Sequence, residues 1–269
     1  MPEGDTIWRQ ARGLRDVLAG HVLTGADLRV PAHATASLAG WFVPSVRSRG
    51  KHLLIDLSRT EADLPSVVLH STLGMDGSWR VFESGSRWNG GPGFAIRAVL
   101  RTESVACVGY RLPHVDLLRR ADEGEVVGHL GPDLLGEDWD VDVARANLLT
   151  APERGIGNAL MDQRNLAGIG NVYKSELCFI ARVNPAMPVS EVQDLDGVLL
   201  EARRLLELNK ATWRRNTTGD SRSQLWVYGR GRQSCRVCGS RICVNEQGRV
   251  TQERFTWWCP TCQPGKAEA

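Results

Sequence analysis

Seven cysteines occur in the chain, and four of them stand as two close pairs. Cys235 and Cys238 form one CxxC pair, and Cys259 and Cys262 form another, with residues 239–258 between them. Four thiolates at this spacing suit the tetrahedral sulfur shell of Zn²⁺; two disulfides are the alternative use of the same residues. The intervening GSRICVNEQGRVT and ERFTWW read as two short strands turning near residues 245–248. The pattern therefore predicts a β-hairpin stapled by one structural zinc ion. Metal binding coupled to folding, of order 10 kcal/mol, orders a segment too short to draw order from a core. Cys243, between the pairs, is expected to be a spare buried thiol.

A second candidate chemistry sits at the other end, in MPEGDTIW. Met1 precedes a small residue, the situation in which it is usually removed. Removal leaves Pro2 as a secondary amine, which forms an iminium with no exchangeable N–H. At an α-amino pKa of about 7.7–8.0, roughly a tenth to a fifth of it is neutral at pH 7. Glu3 is the adjacent carboxylate, so the two can serve as an amine nucleophile and its acid partner. A chain that begins Met-Pro for no chemical reason is the plainer reading of these residues alone. Lys51, in SRGKHLLIDL, projects from a strand-linking turn or is simply solvated there. Asn171 opens a helix after the glycines of LAGIGN; amides at such a helix start hold anions, although an ordinary helical hairpin has the same pattern.

These residues need elements to carry them. Ile7, Ala11, Leu14 and Leu18 fall at helical spacing, with Gly4 or Asp5 as the cap and Gly20 as the stop. Residues 21–30, 43–57, 67–70, 78–83 and 94–112 read as strands of an antiparallel sandwich or barrel. Leu73 and Met75 lie in a loop of it, where an apolar pair is more often tucked in than exposed. The Gly/Pro-rich acidic residues 128–142 mark a domain boundary. Beyond it, residues 143–149 and 156–161 are helical, the latter helix ending near Gln163 before the compact turn to Asn171. Ser190 and Gln193 form a capping box for a long helix buried along Val192, Leu195, Leu199, Ala202, Leu205 and Leu206. Residues 216–235 are polar, Gly-rich and basic, and lead into the hairpin. The fold class is α+β: an N-terminal β-sandwich with its own helix over 1–130, a helical domain over 131–228 and a zinc hairpin over 229–269.

Composition bounds the function classes. The chain is 42% hydrophobic and 24% charged with a net charge of +2, as expected of a globular protein. No run approaches the roughly 18 apolar residues of a membrane span, and the acidic N-terminus does not read as a signal peptide. Charge is unevenly spread: residues 203–254 hold 12 Lys+Arg against 4 Asp+Glu, and residues 116–142 hold 2 against 9. The basic third suits a polyanion, or is a solvated surface. Arginine outnumbers lysine 29 to 4, a bias that a GC-rich genome also produces.

MPEGD, RGKHLL, LAGIGNVYKSE and the CxxC hairpin ending RFTWWCPTCQ occur in one order along the chain. Together they resemble the formamidopyrimidine-DNA glycosylase/endonuclease VIII family over essentially its whole length, and MPEG is closer to the endonuclease VIII branch. The resemblance implies a helix–two-turns–helix domain and a bifunctional DNA glycosylase/AP lyase of base excision repair. By it, Pro2 attacks C1′ of a damaged nucleoside and forms a Schiff base, Glu3 is the general acid, and Lys51 assists proton transfer and binds phosphate. Arg254 grips phosphates and serves the second of two eliminations, β then δ; Asn171 holds the same backbone; Met75 resembles an inserted apolar wedge. Thr6 departs from a frequent Glu, and the purine-repair branch's DPRRFG-like loop is missing from residues 94–112. The implied substrate is damaged DNA carrying oxidised bases, pyrimidines first, handled by a monomer in the bacterial cytoplasm at the nucleoid. Neither a membrane nor a small-molecule cofactor is implied. A non-catalytic zinc-ribbon protein that binds damaged DNA is the rival reading.

Overall fold

The computed structural model describes residues 2–247 and 254–265, and divides into two compact units, Met1–His129 and Leu130–Ala269. Met1, expected from the sequence to be removed, lies outside the described residues.

The first unit begins with α1 (Gly4–Leu18), whose buried stripe is Ile7, Ala11, Leu14 and Leu18. Its cap is Glu3, rather than Gly4 or Asp5. The Glu3 carbonyl accepts the Thr6 and Ile7 amides at 2.9 and 3.1 Å, so helical bonding starts one residue earlier than expected. After Ala19, Gly20 adopts φ +81°, which only glycine takes without strain.

Ten strands follow: β1 (His21–Val22), β2 (Gly25–Leu28), β3 (Phe42–Val43), β4 (Val46–Arg49), β5 (His52–Leu57), β6 (Val67–Thr72), β7 (Ser78–Glu83), β8 (Ile96–Arg101), β9 (Val105–Tyr110) and β10 (His114–Arg119). They build two four-stranded antiparallel sheets, ordered β10-β6-β5-β4 and β2-β8-β9-β7, with β1 paired to β3. Residues 21–30 form two strands because the chain changes partner: Leu23 bonds to Trp41, and Thr24 to Arg101. β10 was not anticipated, since its adjacent Leu117 and Leu118 hide the alternation. Both sheets send apolar residues, such as Leu53, Ile55, Leu69, Leu100 and Cys107, into one core with the α1 stripe. This is the sandwich with its own helix.

The opposite face of β5 and β6 sets polar side chains beside the buried Leu54 and Val68. Arg47 forks onto Asp56 at 3.0 Å through two nitrogens and reaches Glu123 of α2 (Glu123–Val127) at 2.9 Å, while Arg120 bonds the same two carboxylates at 2.8 and 2.7 Å. Nearer Lys51, His52 Nδ1 and His70 Nε2 share a hydrogen bond of 2.9 Å. Burial, then the charges of His70, His129 and His114, push His52 down to about 4.

The second unit contains α3 (Val141–Leu149), α4 (Ile156–Met161), α5 (Asn171–Ile180) and α6 (Leu195–Asn209) around their own core. Asp140 caps α3, its side chain accepting the Asp142 and Val143 amides. The α6 cap is Asp194, which accepts the Gly197 amide at 2.8 Å; Ser190 instead lies in a separate 3₁₀ turn, so the Ser190/Gln193 capping box does not form. The expected stripe of α6 is buried nonetheless. The C-terminal hairpin pairs β11 (Cys243–Gln247) with β12 (Arg254–Trp258). Asn245 is inside β11 opposite Thr256 rather than in a turn; Gly248, the other end of the expected turn, lies outside the described residues. Among the described residues no helix is long and apolar enough to cross a membrane.

The His52 environment sets a pH dependence. The fold favours the neutral ring, so this contribution is complete above about pH 6.5 and is lost as pH falls through about 4. Thermal unfolding of the wild type should show a loss of about 3 kcal/mol across that window. His52→Asn should flatten it.

Candidate active site and metal centre

In the first unit, Glu3 is fully enclosed and Pro2 is half-buried beside it, at the very start of α1. Asp5, also buried, accepts the Thr6 amide at 2.7 Å; the Asp5–Thr6 pair therefore belongs to this first turn. α1 packs on β4 and β5. The turn between those strands carries Gly50, at φ +54°, and the half-buried Lys51. The Trp79 amide of β7 donates to Gln10 Oε1 at 2.6 Å, which fixes α1 against the second sheet as well. Leu73 is buried as expected, but Met75 is 72% exposed, so the apolar pair is split.

In the second unit, the turn before α5 is fastened by Gln163. Its Nε2 donates to the Met161 and Ile169 carbonyls at 2.8 and 2.9 Å, and its Oε1 accepts the Gly168 amide at 3.1 Å. Gly168 adopts φ +113°, which a side chain would strain. α4 spans Ile156–Met161 as expected, and Gln163, just past its end, works as a turn staple. Asn171 opens α5 but is only 5% exposed. Its Nδ2 donates to the Phe255 carbonyl at 2.8 Å, while its Oδ1 has no hydrogen-bond partner. One helix turn on, buried Lys174 donates to Thr256 Oγ1 at 2.6 Å. Arg254, exposed, is the first residue of β12 and pairs across the hairpin with Gln247.

The four cysteine sulfurs lie within 4.8 Å of one another. Cys238 and Cys259 approach to 3.4 Å, and Cys235 and Cys262 to 3.9 Å. A disulfide needs about 2.05 Å, so these are four thiols and the disulfide alternative fails. A tetrahedron with Zn–S bonds of about 2.3 Å has edges of about 3.8 Å, and the cluster fits a metal ion of that size. Burial and neighbouring sulfurs push Cys262 up to about 12, whereas the Ser240 hydroxyl draws Cys238 down to about 6. Full ionisation of the four thus calls for a cation among them. Cys243 stands apart, half-buried rather than buried, in β11.

Sequence reasoning did not single out Glu176. It is fully buried in α5, and its carboxylate accepts the amides of Trp226, Val227 and Tyr228 at 2.8, 2.9 and 2.8 Å, and also the Thr217 hydroxyl. One side chain thus anchors the basic loop that leads to the hairpin. No local pattern could have found it, because the amides it accepts lie about 50 residues further along the chain. Gln263 closes the far end: its Oε1 accepts the Cys259 amide at 2.9 Å and its Nε2 donates to the Val183 carbonyl at 2.8 Å. Glu176→Ala strands the buried Val227 amide and the half-buried Trp226 and Tyr228 amides, so chemical denaturation should show a loss of about 2–3 kcal/mol. Glu176→Gln, which keeps one acceptor oxygen, should lose less.

Known proteins resemble this chain along its whole length. The family model for the formamidopyrimidine-DNA glycosylase N-terminal domain matches residues 1–120, and that for the formamidopyrimidine-DNA glycosylase H2TH domain matches residues 130–215. A probable endonuclease 8 2 of Streptomyces coelicolor is 53% identical over 99% of this chain and 95% of its own. The DNA-(apurinic or apyrimidinic site) lyase Nei2 of Mycolicibacterium smegmatis is 44% identical over 98% of this chain and 99% of its own. In a crystal structure, the Lactococcus lactis Fpg in complex with an abasic site containing DNA has the same fold, with a TM-score of 0.79 at 19% identity over 98% of this chain and 100% of that one. The chain belongs to the formamidopyrimidine-DNA glycosylase/endonuclease VIII family, among its endonuclease 8 2 and Nei2 relatives.

Proposed function

We propose that this protein is a bifunctional DNA glycosylase/AP lyase that removes oxidised bases, pyrimidines foremost, and cuts the strand through a Schiff base at Pro2. Full-length relatives named as endonuclease 8 and as an apurinic/apyrimidinic-site lyase support the reaction class. The observation that carries the residue assignment is a carboxylate with no solvent exposure, Glu3, held by the first helical turn next to the residue that becomes the terminus.

In this reading Met1 is removed and the neutral Pro2 nitrogen attacks C1′. The N-glycosidic bond breaks and the base departs with the bonding electrons. Glu3 protonates the ring oxygen, the sugar opens, and the iminium makes C2′ acidic. Loss of the C2′ proton expels the 3′ phosphate, and a second elimination expels the 5′ phosphate. The positive end of α1 disfavours an ammonium there, which helps keep the amine neutral. Lys51 assists proton transfer and holds phosphate, Arg254 grips phosphate for the second elimination, and Asn171 holds the backbone beside it. Met75 contacts the base stack. Damaged DNA is the partner of a monomeric enzyme, working in the bacterial cytoplasm at the nucleoid. The four-cysteine cluster holds one structural Zn²⁺ with no part in the chemistry.

Borohydride reduction tests the enzymatic reading. Protein lacking Met1 should become covalently joined to an abasic duplex; Pro2→Gly should weaken this or reroute it to another amine. Glu3→Gln should slow base removal about 10²-fold or more while abasic-strand cleavage persists. No adduct from the processed wild type would leave the non-catalytic DNA-binding reading in its place. Metal analysis should find one zinc per chain. Chelation should lower DNA affinity and unfold the hairpin, and Cys262→Ser should reduce zinc content.

A further inference from the structure

An acidic recess lies beside the basic third of the chain. It is a cavity of about 520 Å³ between the C-terminal end of α5 and the start of α6, bordered by Glu191, Asp194 and Glu201, with Arg182 as the one base in its lining. The floor is apolar: Ile180, Ala181, Val183 and Met187 pack on the core of the helices yet stay only half-covered. Gly197 forms part of the wall, where a Cβ would collide with the Asp194 carboxylate, so no side chain from that position fills the space. A smaller cavity of about 230 Å³ shares Ile180, Arg182 and Glu201 with the first and continues past them to Phe179, Trp226 and Val237. The two make one groove, with an apolar cup on either side of Arg182 and Glu201.

Arg182 is exposed at φ +59°, a left-handed conformation that glycine takes more easily. Its guanidinium lies over the Phe179 ring at 5.3 Å, and Phe179 stacks on Trp226. The wall behind it is fixed. The Val183 amide donates to the Cys178 carbonyl at 2.9 Å, and the Val183 carbonyl accepts Gln263 Nε2 at 2.8 Å. Glu201 is forked onto Arg204, with both bonds at 2.6 Å. The charge left at the mouth of the larger cup is that of Glu191 and Asp194, both exposed. Asp194 uses Oδ1 to cap α6 but remains a carboxylate.

Carboxylates at the rim repel phosphate, which makes nucleic acid the wrong occupant. Two apolar cups in line at the surface suit an extended chain that sets one side chain in each. The rim charge is complementary to lysine or arginine beside the first of them. Arg182, between the cups, carries donors for the carbonyls of such a chain. We propose that this groove docks a partner protein through an extended segment that seats apolar side chains in the two cups and sets basic residues against Glu191 and Asp194. The groove lies about 14 Å along α5 from Asn171, so docking does not occupy the turn before that helix. It is independent of the Pro2 chemistry.

Panning the full chain against a random dodecapeptide library, then measuring the recovered peptides by calorimetry, tests this. The peptides should place lysine or arginine beside two aliphatic or aromatic residues and bind with a Kd of about 10–100 μM. Ala181→Trp, which fills the larger cup, should abolish their binding. Glu191→Lys, a change at an exposed position, should weaken it about tenfold, and more at low salt than at high. Arg182→Gly should weaken binding while the Tm holds or rises, because glycine relieves the left-handed strain. All three variants should still bind an abasic duplex as the wild type does. Recovery of acidic or uncharged peptides at the groove would overturn the assigned partner chemistry. Binding that survives both Ala181→Trp and Glu191→Lys, or a library that yields no peptide sensitive to them, would overturn the groove itself.

Discussion

The Glu3 carbonyl takes the amides of Thr6 and Ile7 in the first turn of α1, and the rest of the N-terminal unit is arranged around those bonds. It starts the helix at Gly4, so that half-buried Pro2 stands next to the cap residue. The helix in turn is held by its apolar stripe in the sandwich core and by the Trp79–Gln10 bond. A nucleophile of the kind proposed must be both chemically free and spatially fixed. A terminus satisfies the first condition, and an immediate helix satisfies the second.

The C-terminal unit solves a different problem. Residues 216–235 are rich in arginine and glycine and have little apolar content with which to fold. Order comes from the buried Glu176, which bonds residues 217 and 226–228, from Val227 and Trp226 packed with Phe179 and Ile242, and from the four-sulfur cluster that begins at Cys235. Glu176 accepts three backbone amides and a hydroxyl, so its charge is solvated by the loop it organises. α5 also holds the hairpin itself, through Asn171 on Phe255 and Lys174 on Thr256. A single helix thus sets both the loop and the metal hairpin. Substitutions along it should therefore be read for stability before they are read for contact with DNA.

What was legible in the sequence was local. Cysteine spacing announced the four-sulfur cluster because thiol identity and a two-residue gap suffice for it. The α1 stripe and the starts of α4 and α5 followed from periodicity and from glycines beside polar residues. The strand break at Thr24 was not legible, since it reflects a change of partner from Trp41 to Arg101, far along the chain. β10 was lost to two adjacent leucines. The α6 cap went to Asp194 rather than Ser190, where one proximal acid outcompeted a motif. Glu176, the His52–His70 pair and the groove between α5 and α6 were invisible for a common reason: each is defined by partners that only the fold brings near.

The central claim is that the chain's second residue is the amine that meets the sugar. Peptide mass mapping of the borohydride-reduced adduct addresses it most directly. After proteolysis and nuclease digestion, the sugar remnant should sit on the N-terminal peptide, on the nitrogen of Pro2, with Met1 absent. A remnant found instead on Lys51, or on any other lysine of a protein with a free Pro2, would contradict the account.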